Sequence, residues 1–568
     1  MSSHSAPAAP RPGLHLPGVS TQALFKRQLA RYPTSRARYA YLAIIVVATV
    51  CLYYQLYVVS SVSTIVLAKL NMSFLFFVTM LGIANAIGAC ASIFAGLADR
   101  WGRANLVAYG LGVTALLTLV AIPLSRSEWS FSVFFCMLGF VEGIVLVATP
   151  ALVRDFSPQL GRASAMGFWT LGPVVGSLIV TVVANHSLST YHTWQSQFVI
   201  CGIVSVIVFA IALLGLRELS PKLRDQTMVT LRDRALIELH ARRGDVRHEQ
   251  GGSAFRHVGR PRVLGSALGI SIFLVIYFTM VTFIVVLFGT LFDYSPGRAN
   301  GLGSWYWGID AITLVAVGLL SDRLAVRKPF MVIGAVGTIV MTILFLHTFT
   351  HPHTSYGTFQ AIIIPLSAFQ AIAYAPWMAS FTETVEDLHP SLTAVGLAVW
   401  GWIIRMVVFA TYLVLPHVIS SMNTLVKDGP VVTSLATTKA RLAAQAAHLK
   451  GAGAALQAHA ATLTHAQLLA QQTALATHAA HLKAAGAALE AKATPLAGTI
   501  AKVQHASGSA PHQWQHWFWV AVVCQVAFLP FIAMMRGRWS PRAARADAER
   551  HDEKMRGELE RLAPDVTA

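Results

Sequence analysis

Apolar residues in this chain gather into runs far longer than a buried strand or an amphipathic helix needs, separated by short polar stretches. Runs long enough to cross a hydrocarbon layer of ~30 Å fall at 40–66, 74–95, 105–124, 131–153, 163–184 and 196–216. Six more fall at 264–291, 299–320, 329–349, 357–381, 393–418 and 514–535. The pattern predicts an all-α polytopic membrane protein of twelve spans in two bundles of six. The expected division is an arm (1–38), an N-terminal bundle (39–216), a linker (217–262), spans seven to eleven (263–420), an insert (421–513), the last span (514–536) and a tail (537–568).

Composition agrees: 55% of the 568 residues are hydrophobic and 12% charged, and the mean hydropathy is +0.58, more than soluble cores can hide. The net charge of +18 is read as a topology signal. Lys26, Arg27, Arg31, Arg36 and Arg38, the linker and the tail after Arg536 all fall on one side of a twelve-span chain, and the opposite loops are poor in base. The positive-inside rule then puts both termini in the cytoplasm, in a plasma (bacterial inner) membrane. Bases scattered over loops, without an aromatic-studded fold to present them, argue against nucleic-acid binding. Residues 1–38 lack the apolar stretch of a cleavable signal peptide. Cys51, Cys90, Cys136, Cys201 and Cys524 all lie in predicted spans with no paired spacing, so neither a disulfide framework nor a metal site is expected. No P-loop and no nucleophile–base constellation is visible, so neither ATP-driven transport, an enzyme nor a cofactor is expected.

One signature occurs twice between spans: Ala95-Gly-Leu-Ala-Asp99-Arg100-Trp-Gly102-Arg103 and Gly318-Leu-Leu-Ser-Asp322-Arg323-Leu-Ala-Val-Arg327. A second pair, Asp155-Phe-Ser-Pro158 and Asp387-Leu-His-Pro390, follows in the same order. The offsets, 223 from Asp99 to Asp322 and 232 from Asp155 to Asp387, imply a duplicated bundle of the kind that builds a site between two rocking halves.

The doubled signature in a six-plus-six frame resembles that of the major facilitator superfamily, over 40–418 and 514–535. Ala95 and Ala325 stand where the family usually has glycine. The resemblance implies a transporter fold whose spans one, four, seven and ten line a central cavity, with two, five, eight and eleven at its sides. It also implies a cytoplasmic gate built on Asp99, Arg100, Gly102 and Arg103 and on Gly318, Asp322, Arg323 and Arg327. Two readings of these charges stay open: latches that break and re-form, or topology anchors. Arg154-Asp155 to Arg162, with Glu383, Glu386 and Asp387, resembles the acidic turn after the fourth and tenth spans of sugar-porter-like members. It fits a fixed charge network or a solvated turn in which Pro158 and Pro390 stop helices. Gly172-Pro173-Val-Val-Gly176-Ser177 looks like part of the fifth-span motif of proton-driven exporters, a bend in that helix. Ser177 replaces a glycine, and the exporters' fourth-span arginine is absent.

Ionisable residues at mid-depth cost about 2.5–3.5 kcal/mol each on insertion scales, so those present are the functional candidates. Glu142 in the fourth span has no base near it in sequence and suits a proton carrier. Asp310 and Arg405 in the eighth and eleventh spans either pair or, with Arg405 free, offer a fork for a carboxylate or phosphate. Trp305, Trp307, Trp400 and Trp402 flank these two charges, and Tyr53, Tyr54 and Tyr57 form a patch on the first span. Stacking on a solute and lipid-facing packing are both open to the tryptophans.

The insert is individual to this chain. Leucines recur every seven residues at 435, 442, 449, 456 and 463, then at 468, 475, 482, 489 and 496, and Ala446–Ala458 repeats as Ala479–Ala491. Two closely packed helices are expected, as an extracellular hairpin, with a bent helix or an intermolecular zipper as alternatives. An envelope or self contact through 432–505 would be its partner. Its histidines lack the dense i, i+4 spacing of a metal site. The sequence therefore predicts a proton-coupled secondary transporter of a small polar or anionic organic solute. A proton-driven drug or metabolite exporter, and a transporter-shaped receptor or scaffold working through the insert, are the competing readings.

Overall fold

With no water in the hydrocarbon to satisfy backbone N–H and C=O groups, the apolar runs must close their hydrogen bonds within themselves, as helices. In the computed structural model they do so. It describes residues 27–93, 101–157, 168–220, 223, 259–324, 326–386, 393–459, 464–535, 539–543, 546, 549, 550 and 553. Twelve helices among them are long and apolar enough to cross a membrane. The first eleven are Ser35–Ser61, Phe74–Ser92, Arg103–Ala121, Glu128–Val153, Phe168–Tyr191, Trp194–Gly215, Pro261–Leu291, Pro296–Leu324, Lys328–Thr350, Tyr356–Val385 and Val395–Val418. The twelfth lies within the helix Ala497–Met534.

The first six spans pack as one half and the last six as another. The halves meet where the second span lies along the eleventh and the fifth along the eighth, a pseudo-symmetric pair of seams. The seventh span fills the centre: Val275–Phe288 is buried almost throughout. It is broken at Leu274, which separates the helices Pro261–Phe273 and Val275–Leu291. The fifth is interrupted by a turn at Leu171. Its main helix starts at Gly172 with Pro173 in the first turn, where a missing N–H breaks no bond. Residues 95–100, 158–167 and 387–392 at the loops, with Arg162, Asp99, Arg100 and Asp387 among them, lie outside the described residues.

The polar segment between the eleventh and twelfth spans forms three helices: Ser421–Lys427, Gly429–Ala458 and His465–Ala493. The short one belongs to the body of the protein, since Met422 and Val426 are buried. The two long ones pack along each other, yet none of their residues is fully buried. Leu435, Leu442, Leu449 and Leu456, and Leu468, Leu475, Leu482 and Leu489, are half-buried. A capping box starts the second helix: Thr464 Oγ1 accepts from Gln467 N–H, and Gln467 Oε1 accepts from Thr464 N–H at 3.1 Å. Those side chains supply a start signal in place of glycine or proline. The last span differs from the expected 514 start. The helix begins at Ala497, because Val503, Ala506, Ala510, Trp514 and Trp517 make a buried stripe at helical spacing that runs on into the membrane segment.

Candidate functional site

At mid-depth the second and fourth spans cross with almost nothing between their backbones. A Cβ on Gly143 would collide with the Gly88 carbonyl, and one on Gly88 would collide with the Arg405 guanidinium. The crossing thus opens a berth into which the eleventh span extends its arginine from the other half. Glu142, next to Gly143, is 2% exposed, and neither of its carboxylate oxygens has a hydrogen-bond partner. The charge acting on it is Arg405, although no ion pair closes between the two. Tyr53 and Tyr57 lie one turn apart on the first span, ring centroids 5.7 Å apart, and both interact with Glu142 and Arg405. Tyr54 faces elsewhere: it is buried beside Cys51 and Cys201, inside the packing of the N-terminal half, because one residue of rotation moves a side chain by about 100° on a helix.

Asp310 occupies a different setting. It is 4% exposed and, among the described residues, forms no ion pair, so of the two open readings the pair with Arg405 is the one not present. Arg405 instead serves the second–fourth crossing. Around Asp310 stand aromatic side chains. Trp307, three residues earlier, lies edge-on to Tyr306 at 4.5 Å and to Tyr277 at 5.0 Å. The Tyr306 hydroxyl donates to Gln370 Oε1. The Asp310 charge acts on Tyr277, Tyr306 and Tyr374, and Tyr374 stands 6.5 Å from Trp400. Tyr277 and Tyr374 in turn lie within electrostatic reach of Tyr53, which is within reach of Glu142.

Trp305 and Trp402 do not line it. Each is about half exposed. Trp305 shares its face with the exposed Ile312 and Leu319 at seven-residue spacing, and Trp402 stands on the exposed face that carries Leu413. Both therefore point to lipid, while Trp307 and Trp400 point inward. Gly172 and Gly176 seat the fifth span on the first: Cβ atoms there would press on Thr49 and Tyr53 at 2.7 and 2.8 Å, the small-residue packing common in membranes.

Among the described residues, the ion pairs at the end bearing the repeated signature form within each half. In the N-terminal half one Nη of Arg103 lies 2.9 Å from both carboxylate oxygens of Asp155. Glu218 Oε2 accepts from the Arg103 and Ala104 N–H groups at 2.6 and 3.4 Å, placing an anion on the N-terminus of the third span. Gly102 makes this possible: its φ is +91°, and a Cβ would meet Glu218 at 2.6 Å. Glu218 is itself positioned by a two-residue parallel pairing of Gln28–Leu29 with Glu218–Leu219. In the C-terminal half Arg327 reaches Asp322 at 2.6 Å and Glu383 at 2.9 Å, and Ser321 Oγ at 2.8 Å. Arg323 is exposed, and Gly318 has open space beside it. The sequence matched Asp155 with Asp387. By bonding, its counterpart is Glu383; Glu386 closes the helix, its side chain lying outside the described residues. Glu218 was missed altogether, since nothing in its own neighbourhood marks it as a cap for a helix that starts 115 residues earlier.

Among the described residues, the hydrogen bonds that join the halves lie at the opposite end. Asn300 donates to the Ser61 carbonyl at 2.9 Å, and Leu75 N–H donates to Asn423 Oδ1 at 2.8 Å. Phe74 meets Phe283 at 5.8 Å. Asn423 lies on the short helix at the root of the insert, and neighbouring Ser421 donates to Gln513 on the returning helix at 2.6 Å.

Comparison with known proteins agrees with this architecture. A D-xylose–proton symporter aligns with a TM-score of 0.51 and 18% identity, over 66% of this chain and 90% of its own. A bacterial homologue of the human lysosomal transporter Spinster, in an inward-facing and unoccupied conformation, aligns with a TM-score of 0.54 and 14% identity, over 90% of this chain and all of that one. Among sequences, Efflux pump radE of Floropilus chiversii is 25% identical over 40% of this chain and 43% of its own length. The cis,cis-muconate transport protein of Acinetobacter baylyi is 30% identical over 23% of this chain and 31% of its own. These sequence matches span less than half of either relative. The Major Facilitator Superfamily profile matches residues 45–410, well over half of the chain. The protein therefore belongs to the Major Facilitator Superfamily, a family of membrane transporters.

Proposed function

We propose that the protein is a secondary active transporter that moves a small polar or anionic organic solute by alternating access, driven by protons through Glu142. The observation that carries this reading is the position of that carboxylate: buried, without a hydrogen bond, and facing an arginine contributed by the other half. Protonated, Glu142 is neutral and Arg405 is left to take a carboxylate or phosphate with its planar fork. Deprotonated, Glu142 competes for the same cation. Because the two groups belong to different halves, exchanging one anion for the other changes what holds the halves together in mid-membrane. Both termini and both signatures face the cytoplasm of a plasma membrane in this account, the insert faces outside, and the Asn300–Ser61 and Leu75–Asn423 bonds close the outer end.

The names of the neighbouring proteins support an organic solute, and a proton symporter among them is compatible with the coupling. A relative named as an efflux pump supports the exporter reading equally on direction. Uptake and efflux by purified protein in liposomes across a solute panel, with and without an imposed pH gradient, tests the proposal. Gradient-dependent accumulation of an anionic or polar solute is expected, on whichever side the gradient directs. Transport that ignores the gradient would remove the proton from the account, and no transport of any solute would favour a receptor or scaffold.

A further inference from the structure

Asp310 is the buried charge that this proton and anion cycle leaves unused. Placing a carboxylate in the interior is costly, and among the described residues no cation offsets it by an ion pair. Its walls are electron-rich rings: Tyr306 and Trp307 on its own span, Tyr277 on the seventh and Tyr374 on the tenth, with Trp400 beside Tyr374. Three polar atoms of that wall are buried without a partner: Tyr277 Oη, Gln370 Nε2 and Trp400 Nε1. Gln370 already accepts from Tyr306, so its amide donor is left over. A carboxylate without a base among the described residues, beside aromatic rings and the Tyr277 hydroxyl, which can accept from an N–H, has the chemistry that receives an organic cation, which aromatic faces attract through their quadrupole and a carboxylate neutralises; Gln370 Nε2 and Trp400 Nε1 are donors and suit an acceptor atom on the same solute. Tyr277 and Tyr374 lie within electrostatic reach of Tyr53, and Tyr53 within reach of Arg405, so these rings stand in the same region of the molecule as that arginine.

We infer that Asp310, with Tyr277, Tyr306, Trp307, Tyr374 and Trp400, forms a subsite for a protonated amine carried by the transported solute. The solute then bears an ammonium group besides the polar or anionic group that Arg405 takes. This deepens the transport reading and rests on it.

Binding of β-phenethylamine to the purified full-length protein at neutral pH, by isothermal titration calorimetry, tests the subsite without requiring transport. The matched neutral probe is 2-phenylethanol, and titration of sodium chloride into protein in a sodium-free buffer separates an organic from an inorganic cation. Saturable binding of the amine and none of the alcohol is expected. Asp310→Asn, which keeps shape and removes charge, is expected to weaken amine binding by about tenfold or more. Tyr374→Leu is expected to weaken it by several-fold while leaving the carboxylate in place, which keeps the test informative if Asp310→Asn fails to fold. The inference is overturned if the amine fails to bind wild type at millimolar concentration, if alcohol and amine bind alike, if Asp310→Asn binds as wild type does, or if sodium binds at Asp310 and the amine does not. Amine binding through Asp310 with no solute moved in liposomes would sink the transport reading and leave the subsite; gradient-driven transport with amine binding indifferent to Asp310 would do the reverse.

Discussion

In the N-terminal half the arginine of the repeated signature holds a carboxylate that is 3% exposed, whereas in the C-terminal half its counterpart holds two that are 55% and 50% exposed. The same inversion runs through mid-membrane. Glu142 of the first half looks across the seam to a cation of the second, and Asp310 of the second half looks into aromatic side chains of its own. A repeated sequence pattern thus reproduces the ion pairs but not their environment, and environment decides what a charge can do. A buried pair is costly to break and fixes a structure; an exposed one is screened and contributes little. A carboxylate facing a mobile partner couples two bodies, while one facing rings is suited to a ligand.

The largest expected effect comes from the buried pair. Asp155→Asn should cost about 3–5 kcal/mol in equilibrium unfolding of the purified protein, while Glu383→Gln should cost about 0–1 kcal/mol. Equal losses would break the comparison between the two ends. Arg405→Lys retains the charge but loses the fork, and should raise the KM for an anionic solute by about ten- to a hundredfold, read in liposome uptake. An unchanged KM would remove Arg405 from the anion site. Gly88→Val should destabilise the second–fourth crossing by about 1–3 kcal/mol and displace Arg405, so transport falls further than thermal stability alone accounts for. Asn300→Ala removes one neutral bond between the halves, about 1 kcal/mol, and should increase labelling of a cysteine placed at the insert end by a few-fold. Trp305→Phe, on the lipid face, should change stability by less than about 0.5 kcal/mol and leave transport as it was.

Spans and their order were legible because hydrophobic length is a local property. The eleven helices before the insert fall within seven residues of the apolar runs at either end, with the break at Leu274 hidden in a long run of mostly apolar residues. The leucine repeats of the insert fall at half-buried positions on two helices that pack along each other, and Thr464 with Gln467 carries the start signal of the second in place of glycine or proline. Rotation about the helix axis was not legible: Trp305 and Trp307 differ by two residues and face lipid and interior respectively, and no short window decides between them when both sides are apolar. Nor were partnerships between distant segments. Glu218 capping the third span, Glu383 pairing with Arg327, and the Arg405 charge acting on Glu142 with no ion pair to Asp310 all depend on which loops and spans the fold brings together. Gly88 and Gly143 hold the clue to the last of these, since paired glycines on two spans announce a close crossing, but not what lies beside it.

The central claim is that Glu142 couples the proton to solute movement across the seam. Wild type and Glu142→Gln in liposomes, compared for solute exchange at equal pH and for accumulation against an imposed pH gradient, test it most directly. The account predicts that the variant keeps exchange, because a neutral side chain leaves Arg405 available, and loses gradient-driven accumulation. Accumulation by the variant equal to that of wild type would contradict it and place the coupling group elsewhere.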